Sequence, residues 1–569
     1  MQKRTPEIFL LAALASLLVA PAMSAVKHSD FAAEGVVRAT CAATLYPELC
    51  ISTVSEAAKL KSTCATAYYP EICTSTTPAA IGSRNDVLMA ALTYTMTAVE
   101  RNYFTIKRIA SHSNSLTGPQ ERALEDCLEM ADYTLDELWD TYRILKDYSL
   151  VGRKDDIMTF LSAAQANQKS CLDGFEGDKQ VRRILFPGQT HVFRLVSNLL
   201  AIMKSLTEET EMANNNNNEK NKIPGWKIIG GEDGWPQWLP EGNRRMLQAS
   251  AATVVPNVTV AADGNGDYTT ITEAVDGAPK KSSERYVIRI KGGVYRENVE
   301  VPKCKTNLMF VGDGPTRTII TGNRSVGGNY STFSSATVAV SGGGFLARDI
   351  TFENTAGPSN HQAVALRVSA DLTAFYRCTM SAYQDTLYAH SLRQFYTRCT
   401  IIGSVDFIFG RGSAALQNCD IRARRPNPGQ RNMVTADGRA DPNQNTGIVI
   451  QKSKISATTD LQLVQSDFPT YLGRPWGEYS RTVVMQTEMT DVIHPKGWYR
   501  WNNSNYALDT CFYAEYKNTG DGANTTNRVK WKGFRVLAGD EEAEAFTAGI
   551  FISGEEWLPI TGFPYSLGL

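Results

Sequence analysis

The chain has 569 residues, too many for one ordinary domain; at roughly 150 residues per domain it implies two to four, fewer if one is a repeat structure. With 43% hydrophobic residues it has the material for sizeable cores, and its formal net charge of −1 excludes a general electrostatic pull toward nucleic acid or an anionic membrane. Lys3 and Arg4 precede an apolar run over residues 8–20, followed by the small residues Ala22, Ser24 and Ala25. This is the layout of a secretory signal peptide over residues 1–25, with a retained signal anchor as the alternative. No later stretch reaches 18 unbroken apolar residues, so no stable membrane insertion is expected.

Residues 27–206 read as a helical domain. Apolar residues recur at helix spacing over 87–110, 124–145, 157–168 and 192–206, and four antiparallel helices are the simplest packing for such a run. The segment Thr40-Cys41-Ala42-Ala43-Thr44-Leu45-Tyr46-Pro47-Glu48-Leu49-Cys50 recurs 23 residues on as Thr63-Cys64-Ala65-Thr66-Ala67-Tyr68-Tyr69-Pro70-Glu71-Ile72-Cys73. In a secreted chain such cysteines staple rather than hold metal, and no histidine lies within these segments. The expected bridges are Cys41–Cys50, Cys64–Cys73 and Cys127–Cys171.

Residues 207–250 read as a linker. Five asparagines, Asn214 to Asn218, open onto Gly- and Trp-rich text poor in branched apolar residues, which buries too little surface to fold. Arg244 and Arg245, near its end, suit a processing protease of the secretory route; the alternative is a solvated pair.

Residues 251–569 change to short β-rich runs punctuated by Gly, Asn and Asp, at 254–260, 286–290, 307–311, 336–340, 345–352, 363–368, 374–376, 394–396, 415–417, 447–451 and 482–486. No helix separates them, which favours the stacked coils of a parallel β-helix over a β-sandwich. Two sets of residues report a common period. From Gln362 to Asp385 is 23 residues and from Asp385 to Asp406 is 21, while Cys378, Cys399 and Cys419 follow at steps of 21 and 20. Residues one coil apart stack about 4.8 Å apart, so two carboxylates and the amides of Gln362 and Gln384 converge on one patch. Five Asn-x-Ser/Thr acceptors, Asn257, Asn323, Asn329, Asn502 and Asn524, fall in this half and agree with secretion.

No Gly-x-Ser-x-Gly elbow, zinc-type Cys/His spacing or phosphate-binding Gly-rich loop with Lys is present, and the histidines of the back half are His361, His390 and His494. Carboxylates remain. A lone Asp in strand-rich text is usually a turn residue, but Asp385 and Asp406 share a phase on neighbouring coils. Two such groups in a cleft do not both ionise comfortably, so one holds its proton and acts as acid while the other stays a carboxylate and acts as nucleophile. Arg474 suits the charged one, unless it is an ordinary surface arginine. Gln362 and Gln384 offer N–H donors to an oxyanion, or are interior amides of the solenoid.

Two resemblances sharpen this reading. The front half, with its Cys-x8-Cys segment around Tyr-Pro and its later Cys pair, resembles the pectin methylesterase inhibitor and invertase inhibitor family, except that the first pair is present twice. Gly293-Val294-Tyr295-Arg296-Glu297, Gln362-Ala363-Val364-Ala365-Leu366-Arg367, Tyr383-Gln384-Asp385-Thr386-Leu387, Val405-Asp406-Phe407-Ile408-Phe409-Gly410 and Leu472-Gly473-Arg474-Pro475-Trp476 are similar, in order, to the five signature segments of plant pectin methylesterases. Arg244-Arg245-Met246-Leu247 resembles the Arg-Arg-Leu-Leu processing motif of their precursors, with Met246 replacing a Leu.

The resemblance implies an all-α four-helix bundle followed by an all-β, right-handed parallel β-helix that removes methyl groups from cell-wall pectin and needs no metal or organic cofactor. It implies Asp406 as nucleophile, Asp385 as general acid and then base, Gln362 and Gln384 as oxyanion donors, and Arg474 as partner of Asp406. Trp476, Trp498, Tyr388 and Phe409 are the implied aromatic lining of the sugar groove. Arg411 stands where the family usually has Asn, a change in the groove surface. Implied partners are pectin, a processing protease, proteinaceous pectin methylesterase inhibitors and an intramolecular contact through which the front half inhibits or chaperones the enzyme; the implied location is the cell wall. The rival readings are a β-helix glycosidase or lyase, and a wall-binding or inhibitor protein without activity.

Overall fold

The computed structural model describes residues 28–57, 81–111, 116–147, 153–217 and 255–569. The expected leader over 1–25, the Cys64–Cys73 bridge and the Arg244, Arg245 processing site lie outside the described residues.

Among the described residues the front half holds six helices: α1 (His28–Ala42), α2 (Pro47–Ala57), α3 (Arg84–Ala110), α4 (Gly118–Asp147), α5 (Lys154–Asp173) and α6 (Lys179–Asn217). Helix α3 starts at a capping box, in which Ser83 accepts from the Asp86 N–H and Asp86 reaches back to the Ser83 N–H. Helices α3 to α6 form the expected bundle around Val87, Leu92, Leu138, Ile157, Leu161, Val196 and Leu199, and α1 and α2 join its core through Val37 and Val54. Cys41–Cys50 ties α1 to α2 and Cys127–Cys171 ties α4 to α5. Helix α6 runs on past residue 206, to Asn217. Thr207 is still buried. Glu208, Glu209, Glu211, Met212 and Ala213 are good helix formers, which suits the continuation.

From Val258 onward the strands form three sheets of eleven, seven and eight strands. Every described ladder is parallel, so the chain climbs as a parallel β-helix, right-handed as parallel crossovers are. The run 345–352 is corrected to two strands, Leu346–Arg348 and Thr351–Asn354, which belong to different sheets. The corner between them is Asp349, held at φ 60°. Arg377, Arg398, Asn418 and Lys452 occupy the same corner on later coils at φ 51–53°. A left-handed non-glycine residue costs about 1–2 kcal/mol. Each coil offsets that cost with one bond to the next: the N–H of Asp349 donates to Tyr376 O (3.1 Å), that of Arg377 to Thr397 O (3.2 Å) and that of Arg398 to Gln417 O (3.1 Å). Just past the corner, Cys378, Cys399 and Cys419 stack as buried free thiols, the column that their spacing predicts.

The seven-stranded sheet, with strands Val299–Val301, Val338–Val340, Leu366–Val368, Leu387–Ala389, Ile408–Gly410, Asn432–Asp437 and Thr470–Gly473, carries the helical bundle. Leu366, Leu387 and Ile408 point into the β-helix core. Tyr388, Phe409 and Ala436, one residue on, instead pack with Cys127, Met130, Tyr133 and Cys171 of α4 and α5. Polar contacts rim this apolar seam. Asp441 accepts from Ser197 (2.5 Å) and Gln165 (3.3 Å), Asn445 donates to Thr159 (3.0 Å), and Arg393 reaches Asp156 at 2.6 Å.

Candidate active site

The register of the seven-stranded sheet builds the site. Leu387 pairs with Ile408, an offset of 21 residues, so Asp385 and Asp406, two residues earlier on each coil, are neighbours about 4.8 Å apart at the backbone. Both are left-handed, at φ 65° and 51°, where each chain turns into its strand. Such strain in two neighbouring aspartates persists only where the surroundings over-determine it. The N–H of Asp385 is fixed by Val405 O at 3.0 Å. Gln362 does not share this register. The coil before Asp385 is also offset by 21, from Leu366 to Leu387, so Gln362 sits two residues out of phase and enters the site from the loop before its strand.

The environments of the two aspartates differ. Arg474 grips Asp406 with two prongs, Nε to Oδ1 at 2.8 Å and Nη2 to Oδ2 at 2.5 Å, a geometry that favours the charged carboxylate. Arg474 itself lies 4.4 Å over the ring of Trp501. Burial pushes Asp385 well above the usual carboxylate range; the charge of Asp406 adds to the effect and Arg474 opposes it. The two aspartates therefore stand in unlike surroundings: Asp406 against an arginine fork, Asp385 buried with its proton affinity raised.

A cavity of about 180 Å³ brings together Gln362, Gln384, Asp385, Asp406, Arg474, Tyr388, Phe409 and Trp476. Tyr388 stacks on Phe409 with centroids 4.2 Å apart, and Phe409 leans on Trp476. Gly438 makes room for this floor, since a Cβ there would fall 2.7 Å from Trp476 and 2.9 Å from Arg411. Trp498 is the exception among the expected aromatics. It is 1% exposed, stacks on Tyr513 and donates Nε1–H to Glu515 at 3.2 Å, so it belongs to the β-helix core. Its bridge to Gly473 draws it inward, and Trp501, three residues later, lines the cavity instead. Trp501 carried no motif signal, and no periodicity marks which of the two tryptophans faces the groove. Phe333 and Thr332, also lining the cavity, lie in a loop with no motif signal.

The roof of the cavity is the helical bundle: Ala123, Asp126, Ser170, Cys171, Asp173, Gly174 and Glu176 complete its lining. Ser170 meets the Tyr388 hydroxyl (3.3 Å), His390 Nε2 (3.0 Å) and Arg411 Nη1 (3.2 Å). Among the described residues no group of three or more His, Cys, Asp or Glu side chains is arranged to hold a metal ion. No described helix is long and apolar enough to cross a membrane.

Residues 257–555 match the Pectinesterase family and residues 58–202 the Plant invertase/pectin methylesterase inhibitor family. The second match begins after Cys41 and Cys50 and takes in Cys64 and Cys73, so of the duplicated segment the later copy is the family's. The chain is 57% identical to Pectinesterase 3 of Citrus sinensis, over 94% of this chain and 88% of that one. It is 51% identical to Pectinesterase/pectinesterase inhibitor U1 of Solanum lycopersicum, over 100% and 97%. The structure of the pectin methylesterase from carrot, 65% identical, superposes with a TM-score of 0.55 on 57% of this chain and on all of its own. The chain therefore belongs to the pectinesterase family, and carries a domain of the plant invertase and pectin methylesterase inhibitor family ahead of the enzyme fold.

Proposed function

We propose that the protein hydrolyses methyl esters of cell-wall pectin, releasing methanol and leaving pectate, through an acyl-enzyme on Asp406. The observation that carries this reading is the division of labour between the two aspartates. Asp406, held by the fork of Arg474, attacks the ester carbonyl at galacturonate C6. The amides of Gln362 and Gln384, in the same cavity, donate to the oxyanion. Asp385, kept protonated by burial, gives its proton to departing methanol. As a carboxylate it then takes a proton from the water that cleaves the acyl-enzyme, which returns both groups to their starting states. Paired carboxylates one strand apart also suit a retaining glycosidase. The amide pair and the arginine fork favour acyl chemistry.

Asp406→Asn tests the reading, because an amide forms no acyl-enzyme. The folded variant is expected to release no methanol; wild-type release would remove Asp406 from the nucleophile role.

The bundle over the cavity supports a second element: the front half inhibits the enzyme in cis. Glu176 stands close enough to Asp385 to raise its proton affinity further, and Asp126, Ser170 and Asp173 occupy space that a polysaccharide would need. In this reading a protease cutting after Arg244-Arg245 frees the β-helix in the cell wall. Glycans on Asn257, Asn323, Asn329, Asn502 and Asn524, all exposed, fit the same secretory route.

A further inference from the structure

Three arginines of the β-helix are buried beneath the bundle, and each has an acidic partner above it: Arg367 with Glu129 (3.8 Å), Arg393 with Asp156 (2.6 Å) and Arg411 with Asp173 (2.9 Å). Their fates differ when the bundle leaves. Arg393 keeps Asp371 of its own domain at 2.7 Å. Among the described residues, neither Arg367 nor Arg411 has an ion-pair partner on the β-helix.

Both of these arginines lie against the aromatic lining of the cavity. Arg411 closes the strand that follows Asp406, and its guanidinium lies 3.7 Å over the ring of Trp476. Arg367 pairs in register with Tyr388, which pairs with Phe409, and its guanidinium lies 3.4 Å over Phe333. Phe333, Tyr388, Phe409 and Trp476 all line the cavity. The two arginines thus lie on either side of Tyr388, two coils or about 10 Å apart along the axis. A guanidinium resting on an aromatic face keeps its planar edge free for a carboxylate.

We propose that, in the uncovered enzyme, Arg411 and Arg367 are subsites for the free carboxylates of already de-esterified galacturonate, and that Asp173 and Glu129 stand in for those carboxylates while the bundle is docked. Resting on the reading of this groove as the pectin site, the proposal makes Arg411 a specificity determinant. The enzyme engages chains that carry acid groups beside the remaining esters.

The test uses the fragment 248–569, whose counterpart in carrot is a complete chain and folds by itself. Polygalacturonate, which has no ester, is titrated into the fragment by calorimetry. Separately, methanol release is compared on fully esterified and partly de-esterified pectin. Arg411→Asn installs the residue usual in the family and is expected to fold. It should weaken polygalacturonate binding about fivefold, and lower the ratio of kcat/KM on partly de-esterified over fully esterified pectin by the same factor, since an ion pair open to water contributes up to about 1 kcal/mol. Arg411→Lys keeps the charge without the fork and should fall between. Unchanged binding and an unchanged ratio in Arg411→Asn would overturn the proposal. Binding without methanol release would instead contradict the esterase reading and leave the carboxylate subsites standing.

Discussion

Asp126 offers a way to titrate the docking of the bundle. It lies on α4, accepts a hydrogen bond from the Ser331 hydroxyl of the β-helix and lines the roof of the cavity. Burial pushes its pKa from 3.8 up to about 7; Ser331, Ser334 and Arg367 oppose the rise and Glu129 adds to it. A carboxyl raised by docking favours the docked state in its protonated form. Its contribution is therefore fully present below about pH 4 and is lost as pH rises through about 7. A rise of roughly 3 pH units corresponds to a ceiling of about 4 kcal/mol. Asp126→Asn keeps a partner for Ser331 and cannot ionise, so it should hold the bundle down at all pH values. The assay is the ratio of methanol release by the uncut chain to that by the 248–569 fragment, from about pH 5 to about pH 8, which removes the pH dependence the two forms share. In the wild type the ratio should climb with pH, and in Asp126→Asn it should climb much less. A wild-type ratio that stays flat, or a variant as steep as wild type, would refute the reasoning.

Gln384→Ala removes one oxyanion donor and should lower turnover by roughly 10²–10³, about 3–4 kcal/mol, with little change in KM; a loss below threefold would make Gln384 structural. Trp498 and Trp501 should separate cleanly. Trp498→Ala opens a core cavity and removes one donor to Glu515, which keeps Arg528, and should cost about 3–5 kcal/mol in denaturant unfolding. Trp501→Ala, at the groove, should raise KM and leave the unfolding midpoint nearly unchanged; the reverse pattern would return Trp498 to the groove.

The repeat was legible because two separate columns, the aspartates and the cysteines, share one period. The bundle was legible because helix spacing survives in long segments such as α3 and α4. What stayed hidden depends on long-range packing. The corner at Asp349 follows from coil-to-coil bonding that no local propensity announces, since Arg, Asn and Lys fill the same corner elsewhere. Gln362 looked in phase with Asp385 because a 23-residue step is close to the true 21. Trp498 looked like a groove residue because an aromatic near a motif carries no sign of which way it points. The most consequential surface, the roof formed by α4 and α5, joins residues more than 200 positions apart. The charge pairs Asp173–Arg411, Asp156–Arg393 and Glu129–Arg367 show in retrospect which face of the bundle was meant for the β-helix.

The central claim is that the cavity beneath the bundle is an ester-hydrolysing site that the bundle closes. The direct measurement is methanol release from pectin by equal concentrations of the uncut chain, kept intact by Arg244→Ala and Arg245→Ala, and the 248–569 fragment, at about pH 5, with polymer length followed in the same samples. A covalent tether raises the local concentration of the bundle to roughly millimolar, so the uncut chain should be at least about tenfold slower. The fragment should release methanol with no new chain ends. Equal rates from the two forms would contradict the closure, and new reducing or unsaturated ends would contradict the esterase.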